Sequence, residues 1–179
     1  AAAALPSTMR AVRATEAGAP GDFSPLSVVD DQPLPTPSKG QLLLKVNYSS
    51  VNPVDWKIVE TGQGFGPLFH YPHTLGFDAA GSVVECNGCK HLKVGDEVWA
   101  DLGELDPLKG GELGAYAEYA VADEAQTGLK PASMSAAPAA SLPLADLASL
   151  EVLKATGAPW HNQALTNGGN FTVVVTSGS

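Results

Sequence analysis

The feature that most limits the fold of this chain is its punctuation. It carries 19 glycines and 14 prolines in 179 residues. Glycine supplies the backbone angles that turns need, and proline ends regular runs. This density favours short strands and many turns over a helical bundle. The segments between the breaks are β-like. Met9–Thr15 alternates between apolar and polar, Leu26–Asp31 runs into Pro33, Pro35 and Pro37, and Gln41–Ser49 is strongly apolar. Asp78–Cys86, Val94–Ala100 and Ala115–Val121 continue the series. Such spacing predicts a barrel-like β domain. Gly95-Asp96 and Gly110-Gly111 mark tight turns.

Two segments depart from this pattern. Asn52-Pro53-Val54-Asp55 is a helix start, with Asn52 as N-cap, Pro53 at the first helical position and Asp55 near the positive end of the dipole. Gly62 is expected to stop that helix. Ser135–Gly157 is rich in Ala and Leu at helical spacing, and Pro138 and Pro143 predict a bent or two-part helix. A polar stretch, Trp160–Asn170, then leads to Phe171–Thr176, which reads as a strand buried on both faces. It runs into Ser177-Gly178-Ser179, the way a nucleotide-binding βαβ unit begins. The expected organisation is an exposed stub over 1–8, a β domain over 9–134, a linker helix and loop over 135–170, and an incomplete α/β unit over 171–179.

Composition narrows the partners. With 10 Lys and Arg against 19 Asp and Glu, the formal net charge is −9. That excludes a nucleic-acid backbone or an anionic membrane as the main partner. A hydrophobic content of 44% excludes a disordered polymer. No apolar run approaches the roughly 20 residues of a membrane span. Two cysteines cannot build a disulfide-rich secreted scaffold, so a reducing intracellular compartment is expected.

Five segments carry a resemblance. They are Ser50-Val51-Asn52-Pro53-Val54-Asp55-Trp56-Lys57, Tyr71-Pro72-His73-Thr74-Leu75-Gly76-Phe77-Asp78-Ala79-Ala80-Gly81, Leu92–Val98, Gly114–Tyr119 and Ala139–Leu144. In this order they resemble the medium-chain dehydrogenase/reductase superfamily, and within it the zinc-independent quinone-oxidoreductase and enone-reductase branch. The resemblance implies a GroES-like distorted β-barrel with short helices, followed by the first strand of a Rossmann-type cofactor domain. It also implies NADPH as cofactor and a small-molecule quinone or conjugated carbonyl as substrate. Whether the protein is a homodimer or part of a larger complex stays open.

The resemblance also permits a test for metal. Zinc-dependent members carry thiolate, imidazole and thiolate where this chain has Asn52, Phe77 and Leu144, and their Ser/Thr proton relay is Val54 here. A catalytic zinc needs three such ligands. What fits instead is hydride delivery from a nicotinamide to an electron-poor acceptor. By resemblance, the Asn52–Trp56 turn lines the nicotinamide cleft. Asn52 then contacts the cofactor or polarises a carbonyl oxygen, or, with Asp55, only caps the helix. Asp55 and Trp56 are cofactor contacts on the same reading, and Tyr71 and Tyr48 are candidate proton donors. Phe65 and Phe69 offer apolar faces to a ring or close the core. Leu144 and Ala148 stand in the cofactor wall, and Ser177 and Gly178 begin the phosphate turn. The family's Leu-Pro-Leu-Ala-Gly-Leu-Thr reads Leu142-Pro143-Leu144-Ala145-Asp146-Leu147-Ala148, which adds a carboxylate and removes a hydroxyl.

Three features are assigned bland roles. Cys86-Asn87-Gly88-Cys89 with His91 is expected to be a plain turn, since no second CxxC completes a ligand set. His70-x-x-His73 lacks a third ligand. The acidic residues between Glu85 and Glu124 are expected to form a solvated rim. The alternative to an enzyme is a truncated, catalytically silent domain serving as a scaffold, because the sequence halts before a phosphate loop is complete.

Overall fold

The computed structural model describes residues 4–61, 71–103 and 114–155. The chain divides into two units, Ala1–Leu144 and Ala145–Ser179. Within the first unit every strand pairing is antiparallel. One sheet has the order β2-β1-β4, from β1 (Thr8–Ala14), β2 (Leu26–Pro33) and β4 (His73–Thr74). The other has the order β7-β3-β5-β6-β8, from β3 (Gln41–Ser49), β5 (Asp78–Asn87), β6 (Glu97–Asp101), β7 (Tyr119–Asp123) and β8 (Thr127–Leu129). An isolated bridge between Ala11 and Ala117, with Val12 N–H donating to the Tyr116 carbonyl, ties the two sheets together. This is the mainly β architecture that the turn density predicts. Register shifts at Met9/Ala11, Leu43/Leu44 and Val46/Tyr48 bend the long strands.

The core follows from the strands' sequences. Leu42, Leu43 and Leu44 are fully buried at the start of β3, each contributing about 1.5–3 kcal/mol of burial. Leu42 and Leu44 pack with Ala79, Val83, Val98, Ala100, Ala120 and Ala122 from β5, β6 and β7. Small residues dominate there because the chains run close. A Cβ on Gly81 would overlap the Lys45 carbonyl oxygen on the paired strand. A second cluster, Ala14, Ile58, Val59 and Leu75, seats α1 (Pro53–Thr61) against β1. A third places Ala139 and Ala140 at the end of α2 (Ala136–Ala139) on Ala80 of β5.

Some expected boundaries move. The strand read from Val94 begins only at Glu97, because Val94-Gly95-Asp96 is the turn itself, with Gly95 at φ +94°. The strand read over Ala115–Val121 is β7 at Tyr119–Asp123, since Ala115 and Tyr116 instead bond back to Gly76 and Leu75. The expected two-part helix is α2 and α3 (Pro143–Ala155), with Pro143 as the first residue of the second piece. In the second unit the described residues are those of α3 from Ala145 onward, and Asp146 and Ala148 are both exposed there. The strand read over Phe171–Thr176, with Ser177 and Gly178, lies outside the described residues, as do Gly62, Phe65, Phe69, His70 and Gly110-Gly111.

Candidate active site

The N-terminus of α1 is where the side chains with chemistry meet. Pro53 opens the helix, and the capping bond comes from Asp55: its Oδ2 accepts the Asn52 backbone N–H at 2.7 Å. The Asn52 side chain, expected to cap, is turned to other partners. Its Nδ2 donates to Asp78 Oδ2 at 2.8 Å and to Ser50 Oγ at 3.4 Å. Ser50 Oγ in turn donates to Asp78 Oδ2 at 2.6 Å. The second oxygen, Asp78 Oδ1, accepts the backbone N–H of Leu144 at 2.7 Å. Asp78 is wholly buried at the start of β5, and all these donors are neutral. They satisfy a carboxylate that burial would otherwise make costly.

Asp55 is the second buried carboxylate, 2% exposed. Its Oδ1 accepts the Gly76 N–H at 3.0 Å. Gly76 sits at φ +103°, and a Cβ there would press on the backbone of Ala115 and Tyr116, so only glycine suits the position. Burial pushes the Asp55 carboxyl above its usual range. The donors Asn52, Tyr116 and Gly76 pull it part of the way back, and the charge of Asp78 adds to the rise. The Tyr116 hydroxyl lies between the Ser50 carbonyl, at 3.2 Å, and Asp55. Burial and the neighbouring Asp55 hold it well above the usual phenol value.

The structure therefore brings Asn52, Asp55 and Leu144 together with Ser50, Asp78 and Tyr116, which carried no role in the sequence reading. Asp55 serves this turn as a backbone clasp with both oxygens engaged. Leu144 takes part through its N–H. Trp56 lies on α1, 39% exposed, with Lys57 Nζ 5.5 Å from its ring centroid. Tyr71 is held elsewhere. Its hydroxyl donates to the Ile58 carbonyl at 2.9 Å, burial raises its pKa, and its ring packs on the Ile58 and Val59 cluster. Tyr48 is exposed on β3. Ala148 belongs to the second unit.

Two of the bland assignments change. Cys86 and Cys89 are joined as a disulfide, because the Asn87-Gly88 turn, with Gly88 at φ +73°, brings their Cα atoms to 5.6 Å. Glu124, expected on a solvated rim, accepts the backbone N–H groups of Lys90, His91 and Leu92 at 2.7–2.9 Å. Those donors lower its pKa to about 2. Among the described residues no group of three His, Cys, Asp or Glu side chains is arranged to hold a metal ion.

Two antiparallel sheets with short helices, and a polar cluster at the N-terminus of α1 and the start of β5, define a class. A match to the alcohol dehydrogenase GroES-like domain spans residues 38–132. The chain belongs to that family, in the medium-chain dehydrogenase/reductase superfamily. Its relatives place it in the quinone- and enone-oxidoreductase branch. A chloroplast envelope quinone oxidoreductase homolog of Arabidopsis thaliana is 43% identical over 123 residues, covering 68% of this chain and 35% of the relative. A chloroplastic NADPH-dependent alkenal/one oxidoreductase of the same plant is 37% identical over 113 residues, covering 63% of this chain and 29% of the relative. The structure of a quinone oxidoreductase from Coxiella burnetii superposes with TM-score 0.72 at 31% identity, covering 84% of this chain and 45% of the other. The chain thus spans about a third of the length of these curated relatives. No described helix is long and apolar enough to cross a membrane.

Proposed function

We propose that the protein containing this chain is a zinc-independent, NADPH-dependent oxidoreductase that reduces a quinone or a conjugated carbonyl, and that this chain is its GroES-like domain. The observation that carries the reading is the donor set at the three positions where zinc-dependent members hold their metal. Asn52 binds Asp78 and Ser50 through its amide, and Phe77 and Leu144 offer hydrocarbon. No thiolate or imidazole stands at these positions, so the residues do not fit a catalytic zinc.

They do fit a nicotinamide nucleoside. The Asn52 Oδ1 has no donor among the described residues, and an amide or hydroxyl hydrogen of such a ligand suits it. When bound, NADPH supplies a hydride. The chain's own part is to hold and orient. Asn52 grips the ligand, Asp55 fixes the backbone of the turn that carries Asn52, and Trp56 offers an exposed apolar face beside it. Tyr71 serves by holding the end of α1. The relatives' names favour an enzyme over the silent-scaffold alternative, and a location in an organelle agrees with those names.

The test is consumption of NADPH by the full-length protein with a small quinone and with a conjugated enone, before and after treatment with a zinc chelator. We expect turnover that the chelator leaves unchanged. Chelator-sensitive turnover overturns the zinc-independent reading.

A further inference from the structure

The position of Asn52 leaves open which end of its amide a ligand meets. An oxygen end accepts hydrogen bonds and grips a donor on the cofactor. A nitrogen end donates them and polarises a substrate carbonyl. We propose that Asp78 is a positioning residue that settles this choice, by holding the amide so that its oxygen is the end left for the ligand. This rests on the reading of Asn52 as a ligand contact.

Hydrogen-bond directions fix the orientation of the amide. Leu144 N–H is a backbone donor that cannot reverse, and it points at Asp78 Oδ1 at 2.7 Å. Ser50 Oγ gives its one hydrogen to Asp78 Oδ2 at 2.6 Å, so toward Asn52 it can only accept. Asn52 therefore faces two acceptors, Asp78 Oδ2 at 2.8 Å and Ser50 Oγ at 3.4 Å. Only the NH2 end satisfies both, and turning the amide over would set oxygen against oxygen. The carbonyl-polarising role for Asn52 is thereby disfavoured, and the cofactor-gripping role is favoured. Asp78 is fully buried, so it bears on the ligand through the groups it holds, and among these Asn52 is the side chain whose amide direction it sets.

The variant Asp78→Asn isolates this role. Leu144 N–H keeps an acceptor only if the new amide directs its oxygen there, which aims its NH2 at Asn52 and Ser50. Donor then meets donor, and Asn52 turns over to present NH2 to the ligand. The experiment is NADPH affinity, by fluorescence titration of the full-length protein, for wild type, Asn52→Ala, Asp78→Asn and the combined variant, each shown to be folded by circular dichroism. A lost hydrogen bond predicts that each single variant binds on the order of 3- to 10-fold more weakly. It also predicts that the combined variant binds no more weakly than Asn52→Ala alone, because Asp78 acts through Asn52. Wild-type affinity in Asp78→Asn, or a loss that multiplies with that of Asn52→Ala, overturns the proposal and marks Asp78 as fold support. Wild-type affinity in Asn52→Ala overturns the ligand-contact reading itself, and with it the proposal. Should Asp78→Asn fail to fold, the exchanged pair Asn52→Asp with Asp78→Asn decides. The amide at position 78 then donates to a carboxylate at position 52, whose other oxygen still faces the ligand. Affinity within about threefold of wild type supports the proposal, and a larger loss or a failure to fold contradicts it.

Discussion

Asp55 offers the sharpest test of how the candidate site is built. Replacing it with alanine strips the acceptor from two backbone N–H groups, those of Asn52 at 2.7 Å and Gly76 at 3.0 Å. Each buried donor left without a partner costs about 1–3 kcal/mol. No longer burying a carboxyl offsets part of that sum, leaving an expected net loss of about 2–4 kcal/mol. Asp55→Asn keeps one acceptor oxygen and should lose about half as much. The sign with pH follows from the direction of the shift. A carboxyl whose folded pKa is raised contributes most below its unfolded value, and that contribution falls as pH rises toward the folded value. The amide does not titrate, so Asp55→Asn should look more damaging near pH 4 than at pH 7. The assay is urea unfolding followed by circular dichroism at both pH values. A loss below about 1 kcal/mol for Asp55→Ala would refute the clasp, and a larger Asp55→Asn cost at pH 7 would refute the dominance of burial over the clasp in setting the carboxyl's pKa.

Other outcomes follow from neighbouring features. Glu124, with its pKa lowered to about 2, contributes stability that is complete above its unfolded value and lost as pH falls through about 2. Glu124→Gln should flatten that acid limb in pH-dependent thermal melts, and a limb identical to wild type would contradict the role of the Lys90–Leu92 donors. Cys86 and Cys89 close a ring of only four residues, so reduction should lower stability by about 2 kcal/mol or less, and unfolding on addition of dithiothreitol would contradict this. Thiol labelling of the protein isolated from its own compartment, with and without prior reduction, reports whether that compartment keeps the pair open. A Cβ on Gly114 would overlap the carbonyls of Thr74 and Leu75, so Gly114→Ala should cost about 1–3 kcal/mol in urea unfolding, and a neutral result would show that this loop is free to move aside.

Legibility in the sequence followed the range of the interactions. β3 was readable to the residue because Gln41–Ser49 is bounded by Lys39-Gly40 and carries its own apolar run. The start of α1 was readable because Pro53 and Asp55 act within one turn. β4 and β8, of two and three residues, are too short to show a period and exist because partner strands accept them. The disulfide depended on the turn conformation at Gly88, which the spacing alone leaves open. Asn52 stood out by its place in a motif, but its hydrogen-bond direction was hidden. That direction is set by Asp78 and Ser50, and Asp78 is itself fixed by Leu144, 66 residues further along the chain. Contacts of that separation leave no local pattern to read.

In the proposed function, hydride passes from a nicotinamide to an electron-poor carbon without a metal electrophile. The most direct measurement is isotope transfer. The full-length, chelator-treated protein is given NADPH deuterated at the transferring C4 position and a conjugated enone, and the product is read by mass spectrometry and NMR. One deuterium is expected on the carbon β to the carbonyl. A product without the label, or a saturated carbonyl formed only when zinc is restored, would contradict it.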